Sequence, residues 1–140
     1  MSRVDFYVLS ADAPDARLRY ACRLAERAVE QGCQVYIQTP DVQRLDDMLW
    51  TFSDGSFLPH EIYRGQAAAH ARVMVMVGSE VGPQSHRGLL INLMDAMPPD
   101  VNAYDRIAEI VDVDPERKRA ARERFKQYRE RGCAMESHNL

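Results

Sequence analysis

Long apolar runs and paired cysteines are both missing from this sequence of 140 residues. No stretch approaches the roughly 20 apolar residues of a membrane-spanning helix, and the start, MSRVDFYVLS, lacks the basic region and long apolar stretch of a signal peptide. Cys22, Cys33 and Cys133 are widely spaced, with no C-x-x-C pair and no matching histidine spacing. We therefore expect a cytoplasmic protein with reduced thiols and neither a disulfide framework nor a zinc site.

Glycine is scarce where a nucleotide-binding loop would need it. The segment after the first predicted strand, Ser10-Ala11-Asp12-Ala13-Pro14, lacks the glycine fingerprint that lets a backbone approach a pyrophosphate. The glycine-containing loop 78–88 lacks a following Lys-Ser/Thr pair and carries Glu80, which would repel phosphate. Both observations argue against a Rossmann cofactor or a P-loop.

Catalytic motifs are also missing. The histidines are isolated and form no H-E-x-x-H motif, so we expect them to make surface or structural hydrogen bonds: His60, His70, His86 and His138. Ser79 and Ser85 lie outside any G-x-S-x-G motif, and Asp95 follows a predicted strand without an identifiable partner. We therefore expect no enzymatic activity, no metal and no cofactor.

Strand-like and helix-like segments alternate along the chain. We predict strands at 4–9, 34–38, 72–77 and 89–93, helices at 17–31 and 41–52, a turn at 53–55, and a helix or helix–strand transition at 104–110. The apolar runs are continuous, which is typical of buried parallel strands. With 46% hydrophobic residues, the chain predicts one α/β domain over residues 1–140, in which helices flank a mostly parallel sheet.

Positive charge is concentrated near the end of the sequence. Residues 117–131 hold eight of the 18 Lys and Arg residues and only two acidic ones, so this segment has a net charge of +6. Since the whole chain carries −3, the remainder carries −9. Such segregation indicates an acidic partner.

The basic segment has the end signals of a helix at about 115–131. These signals are an N-cap at Asp114, proline at the first helical position, Glu116 in the first turn and a glycine stop at Gly132. Helical spacing places Ala121, Phe125 and Tyr128 in an apolar stripe, beside the cations Lys118, Arg122 and Arg129. Two interpretations remain: a solvated amphipathic helix, or a surface that binds an acidic ligand.

A second feature is the aromatic turn from Trp50 to His60. It contains the only Trp, together with Phe52 and Phe57, near the predicted turn at Ser53-Asp54-Gly55. These aromatics are candidates for interface anchors. An equally good interpretation is that Trp50 and Phe52 close the end of the second helix against the sheet.

Four segments in this order, VDFYVLS, LDDMLW, SFLPH and ARERFKQYRERG, resemble the chi subunit family of bacterial DNA polymerase III. The resemblance spans nearly the whole chain and is weakest at 61–88. It implies a Rossmann-like fold without a phosphate-binding loop. It also implies a non-catalytic subunit that bridges the psi subunit of the clamp-loader assembly to the acidic C-terminal tail of single-stranded DNA-binding protein, and so associates indirectly with single-stranded DNA.

The resemblance also implies site residues. The positions matching the family's tail-binding residues are Lys118, Arg122, Phe125 and Lys126, and helical geometry adds Arg129 as a neighbour. Phe125 stands where the family has a tyrosine, so the hydrogen bond of that hydroxyl is lost while the apolar contact remains. The psi-facing positions match Trp50 and Phe57.

Two other functions remain open from the sequence. The basic helix could track the phosphates of a single-stranded nucleic acid while Phe125 or Tyr128 stacks on a base, although the −9 remainder opposes this. Alternatively, Asp95 and the loop 78–88 could belong to a small-molecule α/β enzyme.

Overall fold

The computed structural model describes residues 2–53, 55 and 58–140. Within these residues, strands and helices alternate along the chain as predicted. The strands are β1 (Arg3–Val8), β2 (Val35–Gln38), β3 (His60–Ile62), β4 (Val75–Gly78), β5 (Leu89–Asn92), β6 (Arg106–Val111) and β7 (Ala134–Asn139). The α-helices are α1 (Ala16–Glu30), α2 (Val42–Thr51) and α3 (Pro115–Glu130).

The strands of the described residues form one seven-stranded sheet with the order β3-β4-β2-β5-β6-β1-β7. Every pairing is parallel. This confirms the predicted α/β class and sharpens a mostly parallel sheet to an all-parallel, Rossmann-like one. The residues of β4 and β5 are buried throughout, as expected for central parallel strands covered on both faces.

Helices cover both faces of the sheet. On one face, α1 and α2 pack on inward-pointing residues such as Ile37 and Ile91. On the other face, α3 contributes Ala121 and Tyr128 to a second apolar cluster that includes Phe6. The two predicted binding regions, at the end of α2 and along α3, are therefore on opposite faces of the sheet.

Three parts of the sheet differ from the prediction. The segment 104–110, predicted as a helix or helix–strand transition, is mostly strand β6, preceded by a 3-10 turn at Val101–Ala103. Strand β3 and strand β7 were not predicted at all. Both are edge strands with polar sequences, HEI and AMESHN, so their structure comes from pairing with a neighbouring strand more than from an apolar pattern.

The end signals of α3 act as the sequence predicts. The Asp114 carboxylate accepts a hydrogen bond from the Arg117 N–H at 2.9 Å. At the other end, Gly132 has a φ of +83°, and the N–H of Cys133 donates to the Tyr128 carbonyl at 3.2 Å. This is a Schellman ending, which fixes where the basic helix stops and where β7 begins.

The loop 78–88 needs its glycines for packing. A Cβ atom on Gly82 would lie 2.5 Å from the Tyr36 ring, and one on Gly78 would lie 2.4 Å from the Tyr36 hydroxyl. The Tyr36 hydroxyl donates to the Glu80 carbonyl at 2.6 Å, which holds the loop against the sheet. These glycines are thus accounted for without a ligand.

Gly82→Ala is expected to lower the free energy of unfolding by about 1–3 kcal/mol, because the added methyl group overpacks the buried Tyr36 ring. Urea denaturation followed by circular dichroism measures this change. Ser79→Ala, at an exposed position of the same loop, is the control and should stay within about 0.5 kcal/mol of the unsubstituted protein. Equal stability of the two variants would contradict the packing role of Gly82.

Candidate functional site

The eight cations of the basic segment fall into three sets of three, one and four residues. Three of them, spaced seven residues apart, face the body of the protein. Arg117 pairs with Asp112 at 3.0 Å, Arg124 pairs with Glu109 at 3.2 Å, and Arg131 donates to the Pro99 carbonyl at 3.4 Å. Arg124, the buried member of the three, holds the helix in place. On the helix surface, Arg119 pairs with Glu116.

The remaining four cations form one stripe along the other flank of α3. None of them has a hydrogen bond or an ion pair with another described residue, and three are exposed while Lys118 is half-buried. We call them the cation stripe: Lys118, Arg122, Lys126 and Arg129. They are the four cations that the family resemblance, together with helical geometry for Arg129, implies for ligand binding, and the structure leaves their charges unpaired.

A groove of about 300 Å³ runs beside the cation stripe, between α3 and the sheet. We call it the α3 groove. Its lining is mainly apolar, with Lys118 and Arg122 as its charged residues: Phe6, Val8, Val111, Lys118, Ala121, Arg122, Phe125 and Ser137. An apolar floor beside unpaired cations suits a ligand that carries both an apolar group and negative charge.

Phe125 is one of the residues that line the α3 groove. Its ring is half-buried and packs against Phe6, with 5.2 Å between the ring centroids. Because Phe6 is buried on strand β1, the Phe125 ring packs on the apolar surface of the sheet. The hydroxyl group that a tyrosine would add here is absent, so Phe125 contributes apolar surface only.

Tyr128 has a different role from the one considered in the sequence. It is fully buried, and its hydroxyl donates to Glu109 at 2.5 Å. The suggestion that Tyr128 stacks on a nucleic-acid base is therefore wrong, since its ring faces the core. Of the two aromatic candidates on α3, only Phe125 can contact a ligand.

Glu109 is the centre of a buried polar network that sequence analysis missed. Its carboxylate accepts hydrogen bonds from Arg124, Tyr128 and Asn92, at 3.2, 2.5 and 2.8 Å. Burial raises the pKa of Glu109, and all three partners act against that rise. The available signal was a single acidic residue inside the apolar run Ile107–Val111, which requires a buried partner.

Arg124 consequently does not belong to the binding surface. The sequence counted it with the other cations of the basic segment, but its side chain is only 8% exposed and is neutralised by Glu109. Its guanidinium also donates to the Asp95 carbonyl at 3.0 Å. Through these contacts Arg124 connects α3 to β6 and to the loop after β5, and so positions the cation stripe.

The aromatic turn separates into buried and exposed parts. Trp50 at the end of α2 is 54% exposed, the highest value among the large apolar residues of the described chain, and its ring centroid lies 4.4 Å from that of His60. Phe52 and Leu58 are buried. Packing against the sheet thus explains Phe52, whereas Trp50 remains a candidate anchor. Phe57, the second predicted anchor, is outside the described residues.

The residues of the enzyme alternative, Asp95 and the loop 78–88, share no hydrogen bond or ion pair among the described residues. Asp95 is exposed, its carboxylate accepts no hydrogen bond from any described residue, and the loop 78–88 is packed on Tyr36. The histidines make the structural contacts predicted for them: His86 with the Val73 carbonyl, His60 with the Leu58 carbonyl, His70 with the Arg72 N–H and His138 with Asp5.

Among the described residues, one group of metal-ligating side chains comes together. Donor atoms of Asp5, Glu136 and His138 lie within 4.8 Å of one another. Arg3 and Arg106 are paired with Asp5, so arginines already balance the charge of this cluster.

The described helices include none with the length and apolarity required to cross a bilayer.

Comparison with known proteins identifies the family. The model of the family described as "DNA polymerase III chi subunit, HolC" matches residues 1–136. A Pseudomonas aeruginosa protein named DNA polymerase III subunit chi is 44% identical, over 100% of this chain and 98% of its own length. Proteins of the same name from Haemophilus influenzae and Escherichia coli are 28% and 27% identical, with at least 94% of each chain covered. The chain therefore belongs to the DNA polymerase III chi subunit family of replication accessory subunits.

Proposed function

We propose that the α3 groove and the cation stripe bind the acidic C-terminal tail of single-stranded DNA-binding protein. The observation that carries this proposal is the coincidence of four unpaired cations with an apolar groove on the same flank of α3. A surface for nucleic acid alone would need the cations but not the groove. A tail that combines carboxylates with a terminal aromatic residue uses both.

The chemistry of recognition follows from the positions of the side chains. Arg122 borders the α3 groove and can hold the terminal carboxylate of the tail in a bidentate pair. The terminal aromatic side chain then packs on Phe125 and Phe6. Lys126 and Arg129, farther along the stripe, attract the carboxylates that precede it and mainly raise the association rate.

We further propose that Trp50, together with Phe57, binds the psi subunit. A half-exposed tryptophan at the end of a helix is the type of residue that dominates binding energy when a partner buries it. Because α2 and α3 lie on opposite faces of the sheet, both partners can bind at the same time. The protein would thus be a non-catalytic, cofactor-free cytoplasmic bridge with only indirect contact to single-stranded DNA.

Arg122→Ala is expected to weaken binding of an acidic peptide ending in Asp-Ile-Pro-Phe by about tenfold, the loss of roughly one charge-assisted hydrogen bond. Fluorescence anisotropy with labelled peptide at moderate salt measures the change. The matched control is Arg131→Ala, which removes the same charge from the opposite flank of α3 and should change affinity less than about twofold.

A single-stranded oligonucleotide titrated in parallel distinguishes the nucleic-acid alternative. We expect the peptide to bind in preference to the oligonucleotide, because the −9 charge outside the basic segment repels a long polyanion. Binding of the oligonucleotide without the peptide would contradict the proposal, as would equal peptide affinities for the Arg122 and Arg131 variants.

A further inference from the structure

Strand β7 leaves one side of the sheet open beside the α3 groove. In the sheet that the structure describes, β7 pairs only with β1. The N–H of Ala134 donates to the Ser2 carbonyl, and the N–H of Leu140 donates to the Val8 carbonyl. Since backbone groups alternate in direction along a strand, the N–H and C=O groups of Met135, Ser137 and Asn139 point outward without a strand partner.

The open edge has few of the features that usually protect an edge strand. Strand β7 is six residues long and contains no proline. Its single charged residue, Glu136, is paired with Arg3. The other edge of the sheet, β3, is only three residues long. Strand β7 is therefore the edge that can accept an added strand.

Ser137 connects this edge to the α3 groove. Its side chain lines the groove, because Ser137 lies beside Phe6 in the β1–β7 register, while its backbone groups point outward. A chain whose end lies in the groove can therefore continue along the outward N–H groups of β7. The exposed cations Lys126 and Arg129 lie on the same flank of α3.

We infer that the acidic segment preceding the tail's terminal residues adds to the sheet as an extra strand on the open edge of β7. This inference rests on the proposed function and extends it from the terminal residues to the segment before them. Backbone hydrogen bonds to Met135, Ser137 and Asn139 provide the contact, and the cation stripe favours an acidic strand. A second copy of β7 is disfavoured as the occupant because it would bring another basic helix with it.

The test is amide hydrogen exchange of the full chain by NMR, with two peptides. One peptide is Asp-Ile-Pro-Phe alone, and the other carries the same four residues after a longer acidic segment. The longer peptide should slow exchange of the Met135, Ser137 and Asn139 amides by about tenfold or more, while the tetrapeptide occupies the groove without protecting them. The amides of Glu136 and His138 are the internal control, since β1 protects them in the free protein.

Backbone N-methylation of the longer peptide supplies a second readout that needs no protein variant. Methylation at residues whose N–H faces β7 should weaken binding about tenfold, and methylation at the alternating residues should have little effect. Suppose that both peptides bind, that the β7 amides are not protected, and that N-methylation has the same effect at every peptide residue. That result would overturn the inference and leave the proposed function intact. If neither peptide binds, the proposed function fails as well. Concentration-dependent protection in the free protein would assign the edge to a second copy and overturn the inference.

Discussion

Replacing Glu109 with leucine is expected to lower the free energy of unfolding by about 3–5 kcal/mol. The change leaves the guanidinium of Arg124 buried without its counter-charge, and it removes the acceptor used by the Tyr128 hydroxyl and the Asn92 amide. Burying an unpaired charge is among the most destabilising single changes known in proteins. Urea unfolding followed by circular dichroism measures the loss.

Two further variants show whether the charge is the cause. Glu109→Gln keeps an acceptor for Tyr128 and should destabilise less than leucine does. Adding Arg124→Leu to Glu109→Leu removes the unpaired charge and should recover part of the lost stability. A loss below about 1 kcal/mol for Glu109→Leu alone would mean that the network does not hold α3 on the sheet.

Trp50→Ala is expected to weaken binding to the psi subunit by at least about 2 kcal/mol, or roughly 30-fold, while the fold stays intact. The side chain is 54% exposed, so its removal opens little of the core, yet a partner would bury the whole indole. Isothermal titration calorimetry with purified psi subunit measures the affinity, and thermal unfolding checks the fold.

The matched control for Trp50 is its neighbour Thr51, which is also exposed on α2. The Thr51→Ala variant should bind the psi subunit with an affinity within about threefold of that of the unsubstituted protein, since a small exposed side chain buries little area in an interface. Unchanged affinity in the Trp50 variant would place the psi surface elsewhere. A variant at Phe57 tests the second predicted anchor independently of the structure.

The parts of the fold that the sequence predicts well are those with local signals. Helix α3 was placed within one residue of each end, because Asp114, Pro115 and Gly132 each determine the local backbone. Strands β4 and β5 were found because central parallel strands are continuously apolar. Strand β7 was missed because its sequence, AMESHN, is mostly polar and has no continuous apolar run. Its structure depends on pairing with β1.

The candidate site shows a similar division. Helical spacing placed Phe125 beside Lys118 and Arg122, as the α3 groove confirms. Spacing placed Arg122 beside the apolar stripe and left Arg124 out of that group, but it could not show that Arg124 is buried and neutralised, because this depends on Glu109 on strand β6. A charge is available for binding only if no distant residue neutralises it, and sequence periodicity contains no such information.

The bridge itself is tested most directly by a three-component capture. Psi subunit is immobilised on a surface plasmon resonance chip, this protein is added, and labelled acidic peptide follows. We expect peptide to be retained only when the protein is present. The Trp50→Ala variant should not be captured by the psi subunit. The Arg122→Ala variant should be captured but should retain less peptide, and the Arg131→Ala variant should behave as the unsubstituted protein does. Displacement of the protein by the peptide, or full peptide retention by the Arg122 variant, would contradict the account.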